Sequence, residues 1–421
     1  MERHFQNGDH LLYAGDGNFW SYQTTHWQIL QESLLKQKIL EVIDASALVR
    51  RGSKVSLINN VVELLLAKQA KSDDVLRFAD EPLPVINCTN GELWIQADGS
   101  VELRSHDPKS FQRHVLDVVY YANARCPLYS KTLREIFSNS TTPNAMVRYW
   151  HELTGYIIQP NRSIPIIAIL FGGGSNGKTK LMETISRLLG SKQVMATKIG
   201  DLDKNRFLVG SLLGKFLVLD DDVKAGTCIP DGELKKLSEA KKLTGENKYG
   251  PPFEFICRAV PIMSCNNMIS LGDISYGMRR RLMIIPFDRC FEEHEDDKLL
   301  FPRIWKSEMS GVLNLALAGL KRIHSRKLSF ETPGTIKAAK KEWIRSASPV
   351  PAFFKDCCVV KASCMCSLQE LYKCFSDWCE DSGLTHIQHR GTFTRNLEHM
   401  GFKRATKSNK GVRFQGLMPK K

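Results

Sequence analysis

The sequence lacks any uninterrupted apolar run of the roughly 18 residues that a membrane-spanning helix needs. Its first ten residues, MERHFQNGDH, contain no apolar core of the length that a signal peptide requires. Hydrophobic residues make up 43% of the chain and charged residues 25%, which is typical of a globular protein and excludes a disordered or fibrous one. We therefore expect a globular, cytoplasmic protein.

The 12 cysteines include no Cys-x-x-Cys pair. A chain of 421 residues can bury a large core and does not need disulfides for stability. The densest group lies in a periodic segment in which small apolar residues would serve equally well, and a zinc site is the alternative interpretation. This group consists of Cys357, Cys358, Cys364, Cys366, Cys374 and Cys379.

Acidic residues are outnumbered, with 45 Asp and Glu against 59 Lys and Arg, for a formal charge of +14. Residues 331–421 hold 16 Lys and Arg against 8 Asp and Glu, so this last fifth of the chain supplies eight of the 14 charges. A concentrated positive charge predicts a polyanionic partner, whereas a merely solvated surface is the alternative.

The stretch FGGGSNGKTK, residues 171–180, follows an apolar run and precedes the amphipathic segment LMETISRLLG. Its glycines and the final Gly-Lys-Thr satisfy the phosphate-loop pattern in the strand–loop–helix context that the pattern requires. Such a loop turns backbone N–H groups toward a polyphosphate, and the helix start adds positive potential. We predict that a nucleoside triphosphate is bound by Gly172, Gly173, Gly174, Ser175, Asn176, Gly177, Lys178, Thr179 and Lys180. Within this set, Lys178 would reach the outer phosphates and Thr179 would ligate Mg²⁺.

Polar side chains follow two further apolar runs. Asp220, Asp221 and Asp222 come directly after FLVL, and adjacent carboxylates are costly unless a cation or solvent meets them. They predict a Mg²⁺-binding edge, with a solvated loop as the alternative. Asn266 follows AVPIMSC, where it could donate a hydrogen bond to a γ-phosphate or to the attacking water.

Arg279, Arg280 and Arg281 precede the apolar run LMIIPF. Burying an unpaired arginine is costly. The cluster therefore indicates either a solvated surface or an arginine finger, supplied across a subunit interface to neutralise charge in the transition state.

Alternating β-rich runs and helical patterns from about residue 141 predict an α/β domain with a parallel sheet flanked by helices. Before it, we expect a strand-and-turn cap over residues 1–30, a helix over Ile29 to Ile43 and a second helix over Leu57 to Leu66 behind a Ser56 cap. A β-hairpin is indicated by Asn90-Gly91 and Asp98-Gly99. A polar stretch, 111–140, leads to a helix near 145–153.

After the central block, Pro333-Gly334 with Pro349 and Pro351 predicts a boundary. Two helices, 368–380 and 391–399, and a basic hairpin turning at 407–411 then predict a winged helix, with a small protein-docking domain as the alternative. The predicted domains are 1–140, 141–330 and 331–421.

The succession GGGSNGKT, KFLVLDDD, KKLTGENKYGPPFEF, PIMSCNN and YGMRRRLMIIPF resembles the superfamily 3 helicase module of phage, plasmid and poxvirus primase-helicases. LWIQADGSVELRSHDPKSF and Cys126-Pro127 resemble the amino-terminal helical domain of that family, and the last segment resembles its winged-helix end, so the resemblance covers nearly the whole chain. It implies an AAA+ core and an ATP-dependent homo-hexamer that moves on single-stranded and forked DNA during replication of a mobile element. The location would be host cytoplasm for a phage protein.

By position, the resemblance implies that Lys178 and Thr179 bind phosphate and Mg²⁺. It also implies that the acidic pair is Asp221 and Asp222, with Asp221 on the metal, and that Asn266 is the sensor asparagine. Arg280 is the best match to the finger, with Arg281 beside it. Contacts to DNA are expected from Lys242, Lys248, Arg395, Lys403, Arg404, Lys407, Lys410 and Arg413.

Two departures from the family pattern bear on activity. Asp222 replaces the usual glutamate, which shortens its reach to the attacking water, and the segment between Gly245 and Phe253 that would form the DNA-contacting hairpin is short. A nucleotide-gated DNA-binding initiator or scaffold without processive unwinding is therefore the second hypothesis. A phosphate-loop kinase is the third, although it explains neither the arginines nor the basic tail. The upstream primase domain of many relatives is absent from these residues, so a primase or polymerase on another chain, or a longer parent chain, would supply it.

Overall fold

We analyse a computed structural model of the chain. It describes residues 5–14, 17–45, 54–71, 82–224, 228–229, 232–246, 252–271, 276–295, 297–347, 350–382, 387, 389–405 and 412–420. Within these ranges, no helix has both the length and the apolar character to cross a lipid bilayer.

An antiparallel sheet of three short strands opens the chain, as expected from its turns and aromatic residues. It consists of β1 (Leu11–Tyr13), β2 (Phe19–Tyr22) and β3 (Trp27–Leu30), and two helices follow, α1 (Glu32–Ala45) and α2 (Lys54–Gln69). Two boundaries were wrong. Ile29 lies in β3 rather than in the first helix, and Ser56 lies inside α2 rather than capping it.

A second antiparallel sheet carries the predicted hairpin and one more strand, in the order β4 (Val85–Cys88), β5 (Gly91–Ile95) and β6 (Val101–Arg104). Gly91 cannot be replaced without strain, because its φ is +153° and a Cβ would lie 2.5 Å from the Arg104 carbonyl oxygen. The polar stretch after this sheet contains an element that the sequence analysis missed, α3 (Pro127–Ile136). The next helix, α4 (Pro143–Ile158), is longer than predicted.

The centre of the molecule is the predicted α/β unit, with a five-stranded parallel sheet. Its strands are β7 (Ile167–Phe171), β8 (Val194–Ala196), β9 (Leu217–Asp220), β13 (Val260–Cys265) and β15 (Leu282–Pro286), in the spatial order β15-β7-β13-β9-β8. Successive residues of one strand enter different cores. Ala168 and Leu170 pack in one hydrophobic cluster, and Ile167 and Ile169 pack in the other. Both faces are therefore covered, which explains why these strands read as continuous apolar runs.

Short elements and helices connect and cover the strands of this sheet. The helices are α5 (Lys178–Leu189), α6 (Arg206–Gly210), α7 (Gly232–Ser238), α8 (Tyr276–Arg281), α9 (Leu300–Ser307), α10 (Met309–Ser325) and α11 (Gly334–Ala347). Two parallel-paired short strands, β10 (Cys228–Ile229) and β14 (Ser270–Leu271), and an antiparallel hairpin, β11 (Lys242–Glu246) with β12 (Pro252–Ile256), accompany them. The buried Trp343 of α11 packs edge-on to Phe171 of β7, with ring centroids 5.2 Å apart.

The last unit has a separate hydrophobic core. Its elements are α12 (Val350–Cys357), β16 (Cys358–Ser367), α13 (Leu368–Asp381), α14 (Arg390–His399) and β17 (Arg413–Pro419), and β16 pairs antiparallel with β17. The two predicted helices are present, whereas α12 and β16 were missed. The predicted turn at 407–411 lies outside the described residues, but Arg404 forms an antiparallel bridge with Phe414 across it.

Candidate nucleotide-binding site

The loop between β7 and α5 follows a path that few side chains permit. Gly174, Ser175 and Gly177 have positive φ values of 103°, 44° and 83°. A Cβ on Gly172 would lie 2.4 Å from the Phe287 carbonyl oxygen, so only glycine fits there. The chain therefore doubles back tightly before α5 begins, and the N–H groups at the start of that helix remain available to an anion.

Lys178, the first residue of α5, is buried beneath this loop. Its Nζ donates to the carbonyl oxygen of Gly172 at 2.6 Å, to Asn176 Oδ1 at 3.0 Å and to Asn266 Oδ1 at 3.3 Å. Burial lowers the pKa of this amine. Because Asn266 directly follows β13, the ends of two neighbouring strands converge on one ammonium group.

The other predicted loop residues differ in surroundings. Thr179 is exposed at the start of α5, on the loop side. Lys180 lies further round the helix, where its Nζ contacts Glu183 at 3.2 Å and lies 5.2 Å from the centre of the Trp305 ring. Gly173 and Gly174 have open space where a side chain would stand, which leaves room beside the loop.

The three aspartates after β9 divide into one buried and two exposed groups. Asp220 accepts a hydrogen bond from the Ile199 backbone N–H at 2.8 Å, and burial raises the pKa of its carboxyl. Asp221 and Asp222 are exposed. The parallel strands place them at the same edge of the sheet as the phosphate loop and Asn266. The Asp220 carboxylate is therefore bound to the backbone, whereas the carboxylates of Asp221 and Asp222 are open to solvent.

The three predicted arginines lie on α8, and two of them share one carboxylate that was not predicted from the sequence. Arg280 Nη2 contacts Glu239 Oε1 at 2.9 Å, and Arg281 contacts the same oxygen. The Arg281 side chain is 7% exposed and that of Arg280 is 53% exposed. Lys241 donates to the other oxygen of Glu239 at 2.7 Å, and this bond, with the arginines, holds the pKa of the carboxyl below its usual range. Glu239 stands between α7 and β11, so it ties the arginines to the base of the β11–β12 hairpin.

The predicted DNA contacts lie on the hairpin and on the last unit. Lys242 is exposed on β11, with its Nζ 3.9 Å from Glu254. In the last unit Arg395 is exposed on α14, Lys403 and Arg404 are exposed after it, and Arg413 is half-buried on β17. Arg404 pairs with Glu398. Lys248, Lys407 and Lys410 lie outside the described residues.

One further segment contributes to the site without having been predicted. The residues after β15 close over the phosphate loop: Phe287 accepts from Asn176 Nδ2 at 3.3 Å, and the Phe291 N–H donates to the Ser175 carbonyl oxygen at 2.7 Å. The sequence could have indicated this contact, because LMIIPF was predicted as a strand of the same parallel sheet and the carboxyl ends of parallel strands lie at one edge. In the structure β15 is the direct neighbour of β7.

The donor set fits a nucleoside triphosphate with Mg²⁺. An ammonium group, free space beside two glycines and the N–H groups of a helix start suit phosphate oxygens. A threonine hydroxyl and exposed carboxylates are ligands that Mg²⁺ accepts, usually together with water.

Three family models match separate parts of the chain. Residues 1–138 match "D5 N terminal like", residues 170–281 match "Family of unknown function (DUF5906)", and residues 345–415 match "Poxvirus D5 protein-like". A protein of Acanthamoeba polyphaga mimivirus named "Putative helicase L207/L206" is 27% identical over 134 residues, or 30% of this chain. The match spans 14% of that relative's length.

Solved structures of the NrS-1 C-terminal region share the fold. Two apo forms superpose with TM-scores of 0.54 and 0.56 at 14% and 12% identity, and each match covers 97% of this chain and 96% of the other. At this identity the structures show a shared fold alone, and the family matches and the helicase relative support a phage or poxvirus-type primase-helicase module.

Proposed function

We propose that this chain is an ATP-dependent DNA helicase that works as a ring of six in the replication of a phage, plasmid or other mobile element. The observation that carries the proposal is the convergence on Lys178: its Nζ bonds to the phosphate loop and to Asn266 of the neighbouring strand end. A loop that merely turned the chain would not need a buried ammonium shared between two strands.

Each side chain at this sheet edge has a role in the proposal. Lys178 would exchange its amide partners for the outer phosphate oxygens of ATP, and Asn266 would contact the γ-phosphate or the attacking water. Thr179 and Asp221 would hold Mg²⁺, which supplies charge neutralisation at the phosphates. Asp222 would orient the attacking water, and its short side chain predicts slow turnover.

The arginine finger in the proposal is Arg280. Its guanidinium is half-exposed at the end of α8, so a neighbouring subunit's nucleotide could reach it, whereas Arg281 is buried against Glu239. A ring built by such a head-to-tail contact closes on itself and gives every subunit one complete site. A particle count by electron microscopy, with ATP and a forked DNA, is expected to show such rings. If no ring appears with or without nucleotide, a finger acting between subunits is excluded.

We assign the central unit to the AAA+ class, in line with the resemblance.

The last unit of the chain would hold the DNA. The order helix, strand, helix, helix, strand in the last unit supports the winged-helix assignment, with the paired β16 and β17 beneath the helices. Exposed Arg395, Lys403 and Arg404 are suited to DNA phosphates, and such contacts weaken with salt and carry little sequence preference.

The test compares unwinding of a forked duplex by the wild type and by Lys178→Ala. ATP-dependent unwinding in the wild type and its loss in the variant are expected, because the variant lacks the ammonium for the outer phosphates. Lys131→Ala removes a 71%-exposed lysine from α3, serves as the control and is expected to unwind normally. ATP turnover stimulated only by a small phosphate acceptor would contradict the helicase and favour a kinase.

The initiator or scaffold remains the second candidate because one observation favours it. Arg280 forms an ion pair with Glu239 of its own chain, so in this arrangement its guanidinium already has a partner within the subunit. Tight, nucleotide-dependent DNA binding by the wild type without any unwinding would support this candidate over the helicase.

A further inference from the structure

A second cavity lies at the opposite edge of the parallel sheet from the phosphate loop. Gln193, Phe216 and Arg258, which line it, stand just before β8, β9 and β13, whereas Asp221 and Asn266 follow two of these strands. Since β13 has six residues at about 3.3 Å each, the two sites are separated by roughly 20 Å. We call this space of about 380 Å³ the basic cavity. It is closed on its other side by residues that precede, form and follow β4–β6.

The lining of the basic cavity combines cations with apolar surface. Lys109, Arg113, Lys215 and Arg258 line it, and no Asp or Glu is among the lining residues that the structure describes. Ile86, Phe111 and Phe216 are among the apolar residues. A volume in this range is typical of small-molecule pockets, which also pair apolar walls with a few charged groups.

Several groups around the basic cavity are cationic or lie close to cations. His114 is neutral, because burial, assisted by Arg113, His26, Lys215 and Arg258, lowers its pKa to about 3. A neighbouring cavity of about 330 Å³ shares Arg258 and adds Arg162. The guanidinium of Arg162 donates to backbone carbonyls, including those of Tyr156 and Ile157 at 2.8 Å, so its charge is solvated by dipoles without a counter-ion in those bonds. An anion would offset this accumulated charge.

Asn87, a residue of the wall of the basic cavity, has one buried side-chain acceptor without a partner among the described residues. Asn87 lines it and is 5% exposed, and its Nδ2 donates to the carbonyl oxygens of Thr25 and His114. Its Oδ1 has no hydrogen-bond partner among the described residues. That oxygen has almost no accessible surface, so the wall would have to shift before a ligand could reach it.

We propose that the basic cavity binds a phosphorylated nucleoside, either a free nucleotide or one unit of a single strand. The cations face the phosphate, and the apolar walls face the base. This site is separate from the phosphate loop and does not depend on the proposed helicase activity.

The experiment measures binding of two probes to the full chain carrying Lys178→Ala, which weakens the phosphate-loop site. The probes are a fluorescent ATP analogue and a fluorescein-labelled dT12. In this background, Lys215→Glu reverses one cation of the cavity and Leu213→Trp, at a 45%-exposed lining position, fills it. Lys306→Glu, at an exposed position of α9, makes the same charge change elsewhere and is the matched control.

Both cavity variants are expected to raise the Kd of at least one probe by about tenfold, since a charged hydrogen-bond partner or the space for the ligand is lost. The control should change it little. An effect on the ATP analogue identifies a free nucleotide as the ligand, and an effect confined to dT12 identifies a strand. Kd values for both probes that match the control in Leu213→Trp, with an unchanged melting temperature, would overturn the proposal whether or not Lys215→Glu folds.

Discussion

At the scale of single residues, the Glu239 carboxylate binds three basic side chains, and no sequence motif predicted these contacts. It is 12% exposed and accepts from Arg280, Arg281 and Lys241. Removing one partner of a buried ion pair leaves the other charge unsolvated, whereas an exposed pair contributes little.

We predict that Glu239→Gln lowers the free energy of unfolding by about 2 kcal/mol, because the nearly buried Arg281 loses its counter-charge. Urea unfolding followed by tryptophan fluorescence measures the change. Glu254→Gln is the matched control, since that carboxylate is 66% exposed and 3.9 Å from Lys242, and its effect should stay below about 0.5 kcal/mol. Equal effects of the two substitutions would show that Glu239 is only a surface ligand of the arginines.

The sequence located Lys178 and Asn266, and the structure brings them together, because both follow strands of one parallel sheet. Glu239 could not be found in this way. It meets Arg280 across 41 residues of chain, through the turn that ends α7, and no motif spacing encodes that contact. Asp220 was separated from its two neighbours by resemblance alone, and its bond to Ile199 gives the physical reason.

At the scale of elements, the packing of α4 against α10 depends on close backbone approach. A Cβ on Gly319 of α10 would lie 2.2 Å from the His151 carbonyl oxygen of α4, and a Cβ on Gly155 of α4 would lie 2.2 Å from that of Ala316. The two helices therefore meet through glycines on both sides. Neither backbone can yield without disturbing the buried side chains around the contact.

We predict that Gly319→Ala destabilises the protein by about 2 kcal/mol or more, because the added methyl overpacks this contact. Gly391→Ala is the control, since Gly391 is also helical and has nothing within 4 Å of the new Cβ. Its intrinsic gain in helix propensity should stabilise the last unit by about 0.5 kcal/mol. The melting temperatures of both variants test this prediction. An unchanged melting temperature for Gly319→Ala would contradict the close approach of α4 and α10.

Elements with clear period or turn signals were predicted, including four of the five strands of the parallel sheet, the β4–β5 hairpin and the last two helices, whereas the three-residue strand β8 was missed. The misses have local causes. Pro351 lies in the first turn of α12, where proline costs no hydrogen bond, yet with Pro349 it read as a boundary. Strand β16 is mostly exposed along its middle, so it shows neither an alternating nor a continuous apolar pattern.

At the scale of the whole molecule, one hydrophobic core joins parts of the chain that the predicted domains separate. It contains Ile86, Leu133 and Phe137 together with Trp150 and residues of the sheet. Polar contacts cross the same boundary, since the Glu308 carboxylate accepts from the backbone N–H groups of Leu128 and Tyr129 at 3.0 and 2.8 Å and so satisfies the start of α3. The predicted boundary at 330/331 similarly separates α11 from the sheet that buries Trp343.

We therefore predict that cutting the chain before residue 348 gives two stable fragments, whereas cutting it after residue 140 does not. A fragment of residues 348–421 retains the complete core of the last unit and should unfold cooperatively on its own, as should residues 1–347. A fragment of residues 141–421 lacks Ile86, Leu133 and Phe137, whose removal exposes apolar surface around Phe287, 5.2 Å from the Phe137 ring. It should show no cooperative transition from the α/β unit in calorimetry. Wild-type-like unfolding of that fragment would mean that the amino-terminal residues are a separate domain docked on the α/β unit.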